Sequence, residues 1–279
     1  MYRDIMYILL VLLTMLSSFS RNIHSRIGCS STVIITKYNN KIYNNNDAFL
    51  LDNPQLTNKK LVSISPGGFK GFYMLGLTSY IKHHYNTTNC IFSGASAGAW
   101  NSLLMTYRYD IRDFKNHIAD DAIQNAKSIS EMESLIKQRI LRSYNTEDFD
   151  LDRLFIGVTT IDNKPHTSIY TQFVTLEDAI DCCIASSHIP LITGNLTHIY
   201  NNLVSFDGGF SRYPYLGIAK PILHIYPSLW RPKTKTNHWK TVHDYTTLFS
   251  KHRYKFSELY DNGYNDAEAN REFLDTVFL

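Results

Sequence analysis

The residues best suited to chemistry are Gly94-Ala95-Ser96-Ala97-Gly98, a GxSxG run between a short apolar stretch and a longer one. Small residues on both sides of a serine permit a tight strand-to-helix turn that lifts its hydroxyl clear of a sheet. The helix behind it brings backbone N–H groups and a positive dipole end toward any negative charge that develops. On this reading Ser96 is a nucleophile and the Ala97 N–H an oxyanion donor. Gly67-Gly68-Phe69-Lys70-Gly71 follows another short apolar run. It has neither Walker spacing nor a GxGxxG pattern, and fits better as a second oxyanion segment, with Gly67 and Gly68 closing on an acyl carbonyl. Asp207-Gly208-Gly209 follows the apolar Leu203–Phe206 and sets a carboxylate at a strand end, within reach of a neighbouring strand's serine.

Each cluster is weak alone. A GxSxG arises by chance in about one such chain in twenty, GGx[KR]G in roughly three per thousand, and DGG in about one in twenty-five. In this order, each after a strand, the three together have a chance expectation on the order of one in a million, so they are read as one site. The glycine count points the same way. Only 13 residues are glycine, and seven of them (Gly67, Gly68, Gly71, Gly94, Gly98, Gly208 and Gly209) fall in these clusters.

The elements that must hold them follow from periodicity. Leu61–Ser65 and Cys90–Ser93 read as buried strands, each followed by a glycine turn and a helix, the first over Phe72–His84 and the second to about Tyr107. Two strand–turn–helix units in tandem predict a parallel sheet with functional loops at the strands' C-terminal ends. Ile111 to Arg142 reads as helical and polar-faced. Leu154–Ile161 and Thr167–Thr171 read as strands joined by a turn at Asp162-Asn163-Lys164-Pro165. Thr175 caps a helix to Ser186. Strands near Leu203–Phe206 and Ile222–Tyr226 complete an α/β fold.

The chain has 279 residues, 19% charged and 44% hydrophobic, which excludes a wholly disordered chain or a coiled coil. A formal net charge of +3 gives no electrostatic reason for a nucleic-acid partner. Cys29, Cys90, Cys182 and Cys183 have no metal-ligand spacing and read as buried free thiols. Residues 1–20 contain an apolar run, 5–19, short for a membrane span. It reads as a signal peptide or an N-terminal membrane anchor, hence a secretory or membrane-associated location. The sequons at Asn86 and Asn195 are no more than chance supplies. Residues 21–60 read as an Asn-rich surface segment with a short strand at Thr32–Thr36, 61–227 as the catalytic domain, and 228–279 as a C-terminal extension, basic and aromatic, then acidic. Within 230–256, Trp230, Trp239, Tyr245, Phe249, Tyr254 and Phe256 alternate with Lys and Arg, a mixture that suits an anionic membrane surface.

The three clusters, with Ala185-Ser186-Ser187-His188-Ile189-Pro190, resemble the patatin-like phospholipases over about Leu61 to Pro227. The resemblance implies a three-layer α/β/α sandwich around a mainly parallel sheet and a Ser–Asp dyad, Ser96 and Asp207, working without histidine. It implies no catalytic metal or other cofactor, hence calcium independence. Gly67, Gly68 and Ala97 would form the oxyanion hole, with Lys70, Gly71, Gly94, Gly98, Gly208 and Gly209 completing the motifs. The implied substrates are acyl esters of phospholipids or acylglycerols, met at a membrane or a lipid droplet. Two departures stand out. Pro66 occupies the place where the family usually opens its oxyanion loop with glycine. The segment Phe210-Ser211-Arg212-Tyr213-Pro214 is one residue short and lacks the family's Asn. The rival readings are a Ser-His-Asp α/β-hydrolase esterase, with a histidine from His224, His238, His243 or His252, and a catalytically weak lipid-binding protein of the same fold.

Overall fold

The computed structural model describes residues 32–230 and 254–279. Nine strands form one sheet: β1 (Thr32–Thr36), β2 (Ile42–Tyr43), β3 (Lys60–Ile64), β4 (Cys90–Gly94), β5 (Leu154–Ile161), β6 (Pro165–Thr171), β7 (His198–Tyr200), β8 (Leu203–Phe206) and β9 (Leu223–Ile225). The main path runs β2-β1-β6-β5-β4-β3-β9, with the β7–β8 hairpin paired to β5.

The half that carries the first two glycine clusters is parallel, β5-β4-β3-β9. The other half mixes directions: β5/β6, β5/β8, β7/β8 and β1/β2 are antiparallel, while β1/β6 is parallel. The sheet is therefore mixed rather than mainly parallel. The cause is loop length: the short turn at Asp162–Lys164 can only return the chain as a hairpin, because a parallel partner needs a long crossover.

Alternation along the strands assigns the two faces. Leu61, Ile91, Phe155 and Ile169 pack with Phe49 and Leu216 on one side. Val62, Ile64 and Phe92, with Leu154, Ile156 and Tyr170, point to the other. That second side carries the helices Gly71–His84, Ala97–Met105, Ile129–Ser143 and Leu176–Ser186. The result is three layers of unequal thickness, with a thin outer layer over Asn46–Asp52.

Three expectations change. Within 21–60 the expected strand Thr32–Thr36 is present, but it lies inside the sheet between β2 and β6, where alternation turns Ile34 and Ile35 to opposite layers, and Phe49 of the helix Asn46–Asp52 is buried beside Ile34. The helical stretch 111–142 is divided into Asp113–Ile118, Asp121–Gln124 and Ile129–Ser143. Asp120 and Ser128 cause the breaks, since their side chains accept from Ile123 N–H and Glu131 N–H and start new helices. Phe256 is core rather than interface: it stacks on Phe72 with ring centroids 4.0 Å apart. Its helix, Phe256–Ala269, crosses Gly71–His84 so closely that a Cβ on Gly76 would lie 2.0 Å from the Tyr260 carbonyl oxygen.

Candidate active site

Ser96 stands between β4 and the helix Ala97–Met105 with φ 55° and ψ −130°, a conformation an L-residue adopts only under constraint. The constraint is local. Its N–H donates to Ser186 Oγ at 2.8 Å, and Ser186 Oγ donates to the Gly157 carbonyl at 2.6 Å. The Ala185–Pro190 block thus has a physical role: Ser186 fastens the elbow to β5. The flanking glycines are sterically required, since a Cβ on Gly94 would lie 2.1 Å from the Gly98 oxygen and one on Gly98 would lie 2.0 Å from the Ile64 oxygen.

The acid arrives from the opposite direction. Along one edge of β5, β4 pairs as far as Gly94 opposite Ile156, and β8 pairs antiparallel as far as Phe206 opposite Thr159. The C-terminal ends of β4 and β8 therefore meet head-on over Gly157 and Val158. The Ser96 side chain faces the Asp207 carboxylate across this gap, close enough to hold its pKa down. Asp207 is 5% exposed and Ser96 7%. Burial pushes the Asp207 carboxyl up from 3.8 to about 6, opposed by the Ser96 hydroxyl and by Gly209 N–H, which donates to Oδ1 at 2.6 Å. Thr159 Oγ1 donates to the Asp207 carbonyl at 3.0 Å, and Asp207 N–H donates to the His188 carbonyl at 2.7 Å. Downstream, Ser211 bonds Thr167 and its N–H returns to the Gly208 carbonyl at 3.0 Å. These contacts hold the turn in a segment that lacks the family's Asn.

Gly68 and Ala97 line the same cavity as Ser96 and Asp207. Each is the first residue of a helical turn, so its N–H has no acceptor within that turn. Gly68 has φ 51°, a value that favours glycine. Asn101 Nδ2 donates to the carbonyls of Gly71 (3.2 Å) and Ala97 (2.8 Å) and so ties the two helix starts together. Pro66 packs against the acidic turn, where a Cβ on Gly209 would lie 3.1 Å from its ring. Gly67 is not among the lining residues; it is wedged between Met74 and Pro227. Lys70 also stands outside the cavity, whereas Gly71 lines it. Gly208 packs beneath the acid, its Cβ position 2.2 Å from the Gly157 oxygen, so β5 needs glycine there as well.

The cavity has a volume of about 120 Å³ and walls of Phe69, Phe72, Leu75, Leu104 and Ile136. Among the lining residues that escaped the sequence reading, Glu133, on the helix Ile129–Ser143, is the ionisable one. A carboxyl inside the helix's apolar period was the available signal.

Among the described residues no histidine lines the cavity. The ring of His224 bonds Ser63 Oγ (2.7 Å) and Ser65 Oγ (3.0 Å); His238, His243 and His252 lie outside the described residues. Among the described residues no group of three His, Cys, Asp or Glu could hold a metal ion, and no helix is long and apolar enough to cross a membrane. Cys90, Cys182 and Cys183 are buried free thiols. Cys29, the apolar run 5–19 and most of the basic aromatic stretch 230–256 fall outside the described residues.

The chain matches no curated protein. The family model of the patatin-like phospholipases matches residues 62–220, more than half of the chain, from β3 past the acidic turn. The chain therefore belongs to the patatin-like phospholipase family, as a lipid hydrolase that works through a catalytic dyad.

Proposed function

We propose that Ser96 and Asp207 are that dyad and that the reaction is hydrolysis of a carboxylic ester of a phospholipid or acylglycerol. The observation that carries the reading is the Ser96 side chain facing a buried carboxylate, both at the wall of one apolar cavity. Asp207 takes the Ser96 proton as Oγ attacks the ester carbonyl, and the oxyanion accepts from Ala97 and Gly68 N–H groups. Asp207 returns the proton to the leaving alcohol. It then deprotonates the water that releases the fatty acid and restores the serine. Gly67 contributes by holding the loop against Met74 and Pro227.

The substrate is met at a lipid interface. Leu191 and Ile192, 77% and 42% exposed, stand on the loop that also gives Ile189 and Thr193 to the cavity. A membrane surface or a lipid droplet would cover them. The apolar run 5–19 serves as signal peptide or anchor, and the basic stretch 230–256 adds attraction to anionic headgroups.

The test is hydrolysis of phospholipid vesicles and of emulsified acylglycerol, with fluorophosphonate labelling, by wild type and Ser96→Ala. Hydrolysis and labelling should both vanish in the variant. Labelling at another serine, or hydrolysis that survives, would overturn the dyad. Absence of both in wild type would favour the lipid-binding reading.

A further inference from the structure

Glu133 has no part in ester hydrolysis as derived above, and it is the odd residue in the cavity. Ile129, Met132, Glu133, Ile136 and Ile140 share one face of their helix and all line the cavity. Four are apolar and one is a carboxylic acid. Glu133 is 6% exposed, and among the described residues no hydrogen bond or ion pair reaches its carboxyl. A buried polar group without a partner is costly, and a leucine or methionine would fill the same place without that cost. Burial holds the carboxyl well above the usual carboxylate range, and the charge on Asp207, which ionises first, raises it further. Both effects favour the uncharged acid, which presents an O–H donor and a carbonyl acceptor among hydrocarbon walls. A cationic headgroup would call for the ionised form, which the Asp207 charge and the apolar surroundings both oppose.

We propose that this cavity selects acyl chains carrying an oxygen substituent along the chain, such as a hydroxyl, keto or epoxide group, and that Glu133 is the specificity-determining residue that hydrogen-bonds that oxygen. The inference rests on the ester-hydrolase reading and deepens it. An unsubstituted chain entering the cavity would leave the Glu133 carboxyl dry and unpaired. A hydroxylated chain would satisfy it, and sites built around a buried hydrogen bond reject the analogue that lacks the group by about tenfold or more.

The experiment compares matched esters, one with plain stearoyl chains and one with stearoyl chains bearing a mid-chain hydroxyl. They are offered to wild type, Glu133→Met and Glu133→Gln. Wild type should favour the hydroxylated ester by about tenfold or more in kcat/KM. Glu133→Met, of similar volume, should bring that ratio to about one. Glu133→Gln, whose amide still donates, should retain most of it. A wild-type ratio near one overturns the inference without any variant, and so does a ratio that Glu133→Met leaves unchanged. Hydrolysis of neither ester would defeat the hydrolase reading alone. The inference is then decided by binding of the two methyl esters to Ser96→Ala, read by displacement of a fluorescent probe: equal affinities overturn it. Stronger displacement by an alkylammonium than by the hydroxylated ester would overturn it in favour of a cation site.

Discussion

Asp207→Asn separates the catalytic cost of the base from its structural cost. The fold raises the carboxyl from 3.8 to about 6, chiefly by burial. The folded state thus binds this proton more tightly than the unfolded chain does. Stability from this group is fully present below pH 4 and is lost as pH rises through about 6. The displacement corresponds to about 3 kcal/mol at pH 7 and above. Asparagine cannot ionise, and its carbonyl can still accept from Gly209 N–H. The variant should therefore match wild type near pH 4 and exceed it by about 3 kcal/mol at neutral pH. Denaturant unfolding at pH 4, 5, 6 and 7 reads the difference directly. Activity should fall by about 10⁴-fold in the same variant, because nothing then takes the serine proton. A stability difference that does not change with pH, or one that turns against the variant as pH rises, would refute the claim that the carboxylate is held desolvated.

The same carboxyl fixes the acid limb of the reaction: kcat/KM for a soluble ester should fall about tenfold per pH unit below about 6 and level off above it. Ser186→Ala removes both the acceptor for Ser96 N–H and the donor to the Gly157 carbonyl. It should cost about 2–3 kcal/mol in denaturant unfolding and lower kcat more than it raises KM, because the elbow loosens while the cavity walls stay.

The proposed dyad is legible in the sequence because its geometry is encoded locally. The glycines at 94, 98 and 208 sit where a Cβ would strike backbone, and such steric demands leave a pattern within a few residues of the catalytic group. What escaped was set by partners distant in sequence. Thr32–Thr36 reads as a strand, but nothing near it shows that it pairs with β6, and the asparagines that follow it obscure the burial of Ile34, Ile35 and Phe49. The approach of β8 against β5 is likewise a matter of sheet register. Phe256 reads as an interfacial aromatic until the stack with Phe72 is seen. Glu133 was obscured differently: its helix carries enough charge to read as polar-faced, although Ile136 and Ile140 already mark an apolar stripe running through it.

The head-on meeting of β4 and β8 makes β5 a gauge for the reaction. The separation of nucleophile and base is set by how many β5 residues lie between Ile156 and Thr159, at roughly 3.3 Å per residue. Removing or adding a single residue there would shift one partner by that amount and turn the following side chains to the opposite face. A hydrogen bond between the two groups tolerates far less. Loops around the cavity are thus free to vary with substrate, while this short stretch of one strand is fixed in length. Insertions in it separate the halves of the dyad before they disturb the core.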